Sequence, residues 1–393
     1  MNWSEIVASN KKMTTSIYSK NLFSFPVPQS YSIRLQNTVK RNNENIIISS
    51  CDTKSKKIQP VQIIDERPER GKEKPIDQLP APKPHKKWYN YASISGHNAW
   101  IKAVTVDPSN EFFITGSIDR MIKIWDLAKL ELRMTLTGHI GAVQDLQISK
   151  RSPYLFSCCD AKCVYCWDLN QNSIIRNFHG HLSGVYCLDL HPSLDIFASG
   201  SRDATCRIWD IRTRDSVFVL EGHDLTIFDV KLQEFQPNVI TGSADATIRT
   251  WDLRNGKCSS VLTQHKKTVR SLLLHPKEWS FASASPGTIY QWNGENSQLF
   301  KEFKYHNSII NSLAINQDDV MVSVGDDGTI KFWDWGSGEC FQSERSIPHP
   351  GSLDCENGIF DCSFDMTGTR LITCEADKTI KMWKEFDENG NPY

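Results

Sequence analysis

From residue 88 the chain is a succession of short apolar runs broken by polar turns. One stretch shows the pattern: GVYCLDLHP, DIFASGSRD, ATCRIWDIR and SVFVLEG are β-branched and aromatic runs separated by Pro, Gly, Asp or Arg-Asp. Such runs read as strands and such breaks as tight turns, so one stretch supplies four antiparallel strands. The runs are nearly continuously apolar instead of alternating cleanly, so both faces of the resulting sheet need cover.

The pattern then repeats. Trp recurs at Trp125, Trp167, Trp209, Trp251, Trp292, Trp333 and Trp383, at spacings of 42, 42, 42, 41, 41 and 50. Asp follows five of them, at Asp126, Asp168, Asp210, Asp252 and Asp334. A His stands upstream of the first six, at His97, His139, His181, His223, His265 and His306, and Gly precedes the first four. On these Gly-His and Trp-Asp motifs the chain resembles the WD40 family, which implies an all-β, seven-bladed propeller over 88–386. Packing seven sheets face to face around an axis buries both faces of each. The last copy ends at its third strand, TIKMWKE, while an unassigned strand, KWYNYASI, precedes the first Gly-His. That leading strand is expected to complete the last blade and close the ring.

Six residues before Trp, in the turn between second and third strands, stand Asp119, Asp203, Asp245, Asp327 and Asp377. The WD40 resemblance implies that this Asp bonds the histidine, which reaches a strand Ser/Thr and the indole; Ser117, Ser201 and Ser243 are the candidates. Ala161 and Pro286 replace the Asp in the second and fifth copies, whose turns are expected to be less rigid. The seventh copy lacks Gly-His and carries the insertion PHPGSLDCENG, so its standing as a blade rests on Asp377 and Trp383.

Regular His and Asp might invite a catalytic reading, but one copy per repeat at one structural place points to architecture. Cys158, Cys159, Cys163 and Cys166 look like a zinc set; on adjacent strands, with Cys163 and Cys166 on opposite faces, four sulfurs do not meet tetrahedrally. Twelve cysteines scattered through strands read as free thiols of a reducing compartment. There is no phosphate loop, HExxH or Gly-x-Ser-x-Gly, so neither an enzyme nor a cofactor is expected. No apolar run reaches membrane-span length, and the start lacks a hydrophobic signal core; a soluble, intracellular protein is expected.

Charge divides the chain. Residues 1–87 hold 16 Lys/Arg against 8 Asp/Glu, a net of +8; residues 88–393 hold 29 against 38, a net of −9. The leader 1–87, rich in Pro, Lys and Asn, lacks periodicity and is expected to be largely disordered alone. Its apolar islands Leu22-Phe25 and Ile46-Ile48 are candidate docking points, and its basic clusters, including Lys83-Pro84-His85-Lys86-Lys87, candidates for nuclear import or nucleic-acid contact. Residues 387–393 form a short tail. The acidic repeat body is a poor general nucleic-acid surface, which leaves at most local RNA contact, as at His265-Lys266-Lys267 and Arg270.

Five residues after each histidine comes a position expected at the channel rim: Lys102, Gln144, Tyr186, Phe228, Arg270 and Asn311, with Trp100 beside them. Tyr, Phe, Arg and Lys together have the composition of an interface hot spot. The alternative is that Tyr186 and Phe228 fill the channel, a role that suits Arg270 less.

Segments outside the shared motif, among them RSPYLFSC, HGHLSGVYCLDLHP, SRDATCRIWDIRT, HKKTVRSLLLHP, PGSLDCENGIFDCSFD and EADKTIK, are similar to the pleiotropic regulator 1 family of splicing WD40 proteins. The resemblance covers roughly 88–385. It implies a nuclear scaffold of the spliceosome and its Prp19-associated (nineteen) complex, partnered by a Myb-related splicing subunit and other core proteins. The competing class is a substrate receptor or adaptor of a ubiquitin ligase or signalling assembly. That class needs an F-box or heptad helix before the propeller, and residues 1–87 show neither.

Overall fold

The structure, a computed structural model, describes residues 83–234, 236–303, 306–353 and 355–386. The expectations for residues 1–82 and 387–393 lie outside the described residues. Within them are twenty-eight strands in seven four-stranded antiparallel sheets. Blade 1 is typical: Ile101–Val106, Phe112–Ser117, Met121–Asp126 and Leu132–Thr137 pair in chain order from axis to periphery.

The apolar runs find their cover between blades. Seven core clusters form, each shared by two neighbouring sheets and none confined to one. Between blades 2 and 3, for example, Phe156, Phe178, Val185 and Trp209 are almost fully buried together. The seventh cluster joins blade 7 to blade 1 through Ile372, Met382, Phe113 and Trp125, so no sheet face is left wet.

Closure is made by the leading strand. Lys87–Ser95 is the outer strand of blade 7 and runs antiparallel to Thr379–Phe386, with Asn90 opposite Trp383. Its anchor is Trp88, which has no exposed surface, stacks on Phe332 of blade 6 at 5.6 Å and meets Phe364 edge-on at 5.6 Å. The Gln342 side chain grips the same residue twice: its carbonyl accepts from Trp88 N (2.8 Å) and its amide donates to Trp88 O (2.7 Å). The contacts begin before residue 88. Lys83 pairs with Asp319 at 2.8 Å, and His85 bonds Asp334 at 3.1 Å while stacking on Phe341. Part of the basic cluster assigned to the leader is thus held by carboxylates of blade 6.

Truncating a buried Trp typically costs about 3–5 kcal/mol. Trp88→Ala should lower the unfolding free energy by that amount in urea titration, with early loss of amide protection in Lys87–Ser95. An unchanged midpoint would mean that the ring closes without this anchor.

Candidate functional site

The recurring aromatic and imidazole groups sit inside the blades. In blade 1 the Trp125 indole N–H donates to Thr115 Oγ1 (2.9 Å), His97 Nε2 meets the same hydroxyl (2.8 Å), and His97 Nδ1 meets Asp119 Oδ2 (2.9 Å). Blades 3 and 4 repeat it with Trp209, Ser199, His181 and Asp203, and with Trp251, Thr241, His223 and Asp245. The hydroxyl is therefore two residues earlier than Ser117, Ser201 and Ser243. The indole reaches diagonally by two register positions, and those three serines, at the strand ends, donate instead to loop carbonyls such as Trp100 O (2.9 Å), Gly184 O (2.9 Å) and Leu225 O (3.2 Å). The preceding Gly has a steric cause, since a Cβ on Gly96 would sit 2.7 Å from the Trp125 ring. Burial opposes ionisation of Asp119, but the hydrogen bond and charge of His97 outweigh it and hold the carboxyl at about 2.

Three blades keep only half of this relay. His139, His265 and His306 bond Ser157, Ser283 and Ser323, which also accept from Trp167, Trp292 and Trp333. Their Nδ1 atoms are buried with no partner among the described residues. Ala161 and Pro286 explain the first two. Blade 6 departs from expectation: Asp327 is present but its Oδ1 accepts from Thr329 Oγ1 at 2.6 Å instead of from His306.

Blade 7 substitutes a different chemistry. Trp383 donates to Thr373 Oγ1 (3.1 Å), and in place of a histidine relay the blade holds a buried ammonium, that of Lys381. It donates to Glu375 Oε2 (2.6 Å), Ser346 Oγ (2.5 Å) and Ile347 O (2.6 Å), and lies 3.6 Å from Asp377. Asp377 also accepts from His349 N (3.0 Å), so this buried pair tethers the start of the insertion. Burial pushes the Glu375 carboxyl up to about 7 against the pull of Lys381.

The channel mouth collects the rim positions. Lys102, Gln144, Tyr186, Phe228, Arg270 and Asn311 line one cavity, joined by Phe360 of blade 7, which the missing Gly-His had hidden in the sequence. A β-bulge lifts six of these seven out of register, as where Val185 pairs Ser201 but Cys187 pairs Gly200, leaving Tyr186 unpaired. Arg270 sits just before its strand, Ser271–Leu274. Side chains touch around the mouth: Tyr186 stacks on Phe228 (6.0 Å), Arg270 lies over Phe228 (5.6 Å) and donates to Asn311 Oδ1 (2.7 Å). Opposite, Lys102 lies over Phe360 (3.3 Å), which stacks on the exposed Trp100 (5.8 Å). Burial, and next the charge of Arg270, lower the Lys102 ammonium to about 8.

Below the mouth is a carboxylate layer that the sequence reading missed. Oδ2 of Asp145, Asp189, Asp229 and Asp361 accepts from the backbone N of Leu188 (2.7 Å), Leu232 (2.5 Å), Leu272 (2.6 Å) and Val104 (2.8 Å), each in the following blade. The innermost strand of a blade has a free edge, and these carboxylates satisfy its exposed N–H groups. Burial raises all four, Asp189 to about 6, while Lys231 pulls them down. Acidic residues inside otherwise apolar runs, such as VQDLQI and IFDVKL, were the available signal. The cysteines of blade 2 divide between two faces: Cys159 and Cys163 toward blade 1, Cys158 and Cys166 toward blade 3.

Radial sheets braced by an indole, hydroxyl and imidazole relay, around a channel with a variable mouth, define a WD-repeat propeller. The "WD domain, G-beta repeat" family profile matches residues 88–126, 130–168, 172–210, 214–252, 297–334 and 348–384, passing over the copy that holds Pro286. The chain belongs to this family, and with it to the group that includes pre-mRNA-splicing factor PRP46 of Kluyveromyces lactis, 58% identical over 309 residues (78% of this chain, 71% of that protein). Pleiotropic regulator 1 of Bos taurus is 55% identical over 309 residues (79% and 60%). Protein pleiotropic regulator PRL2 of Arabidopsis thaliana is 51% identical over 314 (80% and 65%). The chain thus spans under two thirds of the length of the latter two relatives.

Two outcomes follow from the incomplete relays. Ala161→Asp places a carboxylate where Asp119 stands in blade 1 and supplies His139 Nδ1 with a partner; a charge-assisted bond is worth about 1.5–3 kcal/mol. Denaturant unfolding should show a gain of at least about 1 kcal/mol, and a loss would mean the turn rejects the side chain. Burial pushes His265 and His306 down to about 4, against an ordinary value near 6.5. Their neutral forms are favoured in the fold, so the contribution is complete above pH 6.5 and is lost as pH falls toward 4, by about 3 kcal/mol each. The channel aspartates titrate oppositely but equally in a His265→Gln/His306→Gln double variant, so the stability difference between the two proteins should shrink across that window. A constant difference from pH 7 to 4 would contradict the assignment.

Proposed function

We propose that this chain is a non-catalytic protein-interaction scaffold in pre-mRNA splicing, acting in the nucleus within the spliceosome and its Prp19-associated complex. The reading is supported by the likeness to pre-mRNA-splicing factor PRP46 of Kluyveromyces lactis, matched over 71% of its length. The observation that carries it is the mouth itself: half-buried aromatic and cationic side chains from five blades, a surface suited to gripping an extended segment of another protein. The indole and imidazole groups that might have suggested catalysis are spent on internal bonds. The partners are core splicing proteins, including a Myb-related subunit, with RNA touched at most locally.

Affinity purification of the tagged chain from nuclear extract should recover splicing proteins. Recovery of cullin-type subunits in their place would favour the ubiquitin-ligase reading. Arg270→Glu should weaken recruitment several-fold with little change in melting temperature, since among the described residues the guanidinium hydrogen-bonds the Asn311 side chain alone.

A further inference from the structure

We infer that the channel mouth takes an acidic side chain of its protein partner, an Asp or Glu that enters between Lys102 and Arg270 while flanking aliphatic residues lie on the surrounding loops. This deepens the scaffold reading and rests on it for the kind of partner.

The argument begins with unmatched charge. Among the described residues neither Lys102 nor Arg270 forms a salt bridge. The Arg270 guanidinium has the neutral Asn311 Oδ1 and the Phe228 face; Lys102 has the faces of Phe360 and Trp100, and the Asp326 carboxylate favours its charge without forming a salt bridge with it. Ring faces stabilise a cation by about 0.5–2 kcal/mol, less than water or a carboxylate supplies to a half-buried ammonium. The two cations also repel each other across the mouth, which is one reason Lys102 loses its proton more readily than an ordinary lysine. An anion placed between them relieves both effects at once. The carboxylates deeper in the channel do not meet this need, because each is already occupied by a backbone N–H of the next blade.

The surroundings select a peptide. On the loops that lead from the blade histidines to the rim positions, Ile140 is 73% exposed, Leu182 76% and Leu225 53%, so aliphatic side chains stand free within a few residues of Gln144, Tyr186 and Phe228. A single carboxylate between apolar neighbours matches that layout. A nucleic acid, with a charge at every residue, would bring its remaining phosphates over a body of net charge −9.

The test uses the full chain and two bead-bound heptapeptide pools, degenerate in Ala, Leu, Ile, Val and Ser and identical except for a central Asp/Glu or a central Asn/Gln. The acidic pool should capture at least ten-fold more protein. Lys102→Met and Arg270→Met should each cut that preference below three-fold with unchanged thermal midpoints, whereas Lys257→Met on the outer strand of blade 4 should keep it. Equal capture of the two pools by the unmodified chain overturns the proposal and needs no variant to fold. So does binding of single-stranded oligouridylate that both variants abolish while the pools remain undiscriminated. Equal capture together with recovery of splicing proteins from extract removes the acidic segment and leaves the scaffold reading. A preserved ten-fold preference with no splicing protein recovered supports the acidic site and removes the splicing role.

Discussion

A four-stranded sheet that is apolar on both faces cannot stand in water, and everything in this molecule follows from that constraint. Each sheet needs two neighbours, each neighbour needs another, and only a closed ring ends the series without leaving a wet face. The seven core clusters, one at every blade junction, are the direct expression of this. The junction of blades 6 and 7 joins residues 254 positions apart in the chain: Trp88 is inserted beside Phe332 and Phe364, and its backbone is satisfied by Gln342.

Once the ring is closed, polar groups have two duties. Inside the blades, one hydroxyl joins an indole to an imidazole and so sets the angle between strand and loop. The relay is redundant, which is why blades 2, 5 and 6 keep their shape with an unmatched Nδ1, and why blade 7 does without the histidine and uses the Lys381–Glu375 pair. Around the channel, carboxylates satisfy free edges of the inner strands and tie four of the blades to the one that follows. A buried carboxylate is costly alone; here each has a backbone donor and shares Lys231 as counter-charge.

The proposed recognition surface is built from positions excused from both duties. The bulge at the start of the inner strands frees one residue from pairing in six of the seven blades, and that residue varies from Gln144 to Tyr186 and Phe360 while the residue before it remains apolar. Variation is tolerated there because it touches no core cluster.

The repeat of Trp near 42 residues, with the WD40 resemblance its motifs carry, made the blade count, the strand pairing and the closing strand legible. It also placed the six rim residues, since a fixed offset from a fixed histidine lands at the same height in each blade. What the sequence left open depended on distances between side chains far apart in the chain. Two hydroxyls in one strand, Ser117 and Thr115, look alike until the reach of the indole chooses between them. Asp327 and Asp119 occupy the same repeat position, yet only Asp119 meets its histidine. Phe360, the inter-blade aspartates and the Lys381 cluster appear only when blades are set side by side, because hydrogen bonding is short-ranged and directional whereas apolar burial is neither.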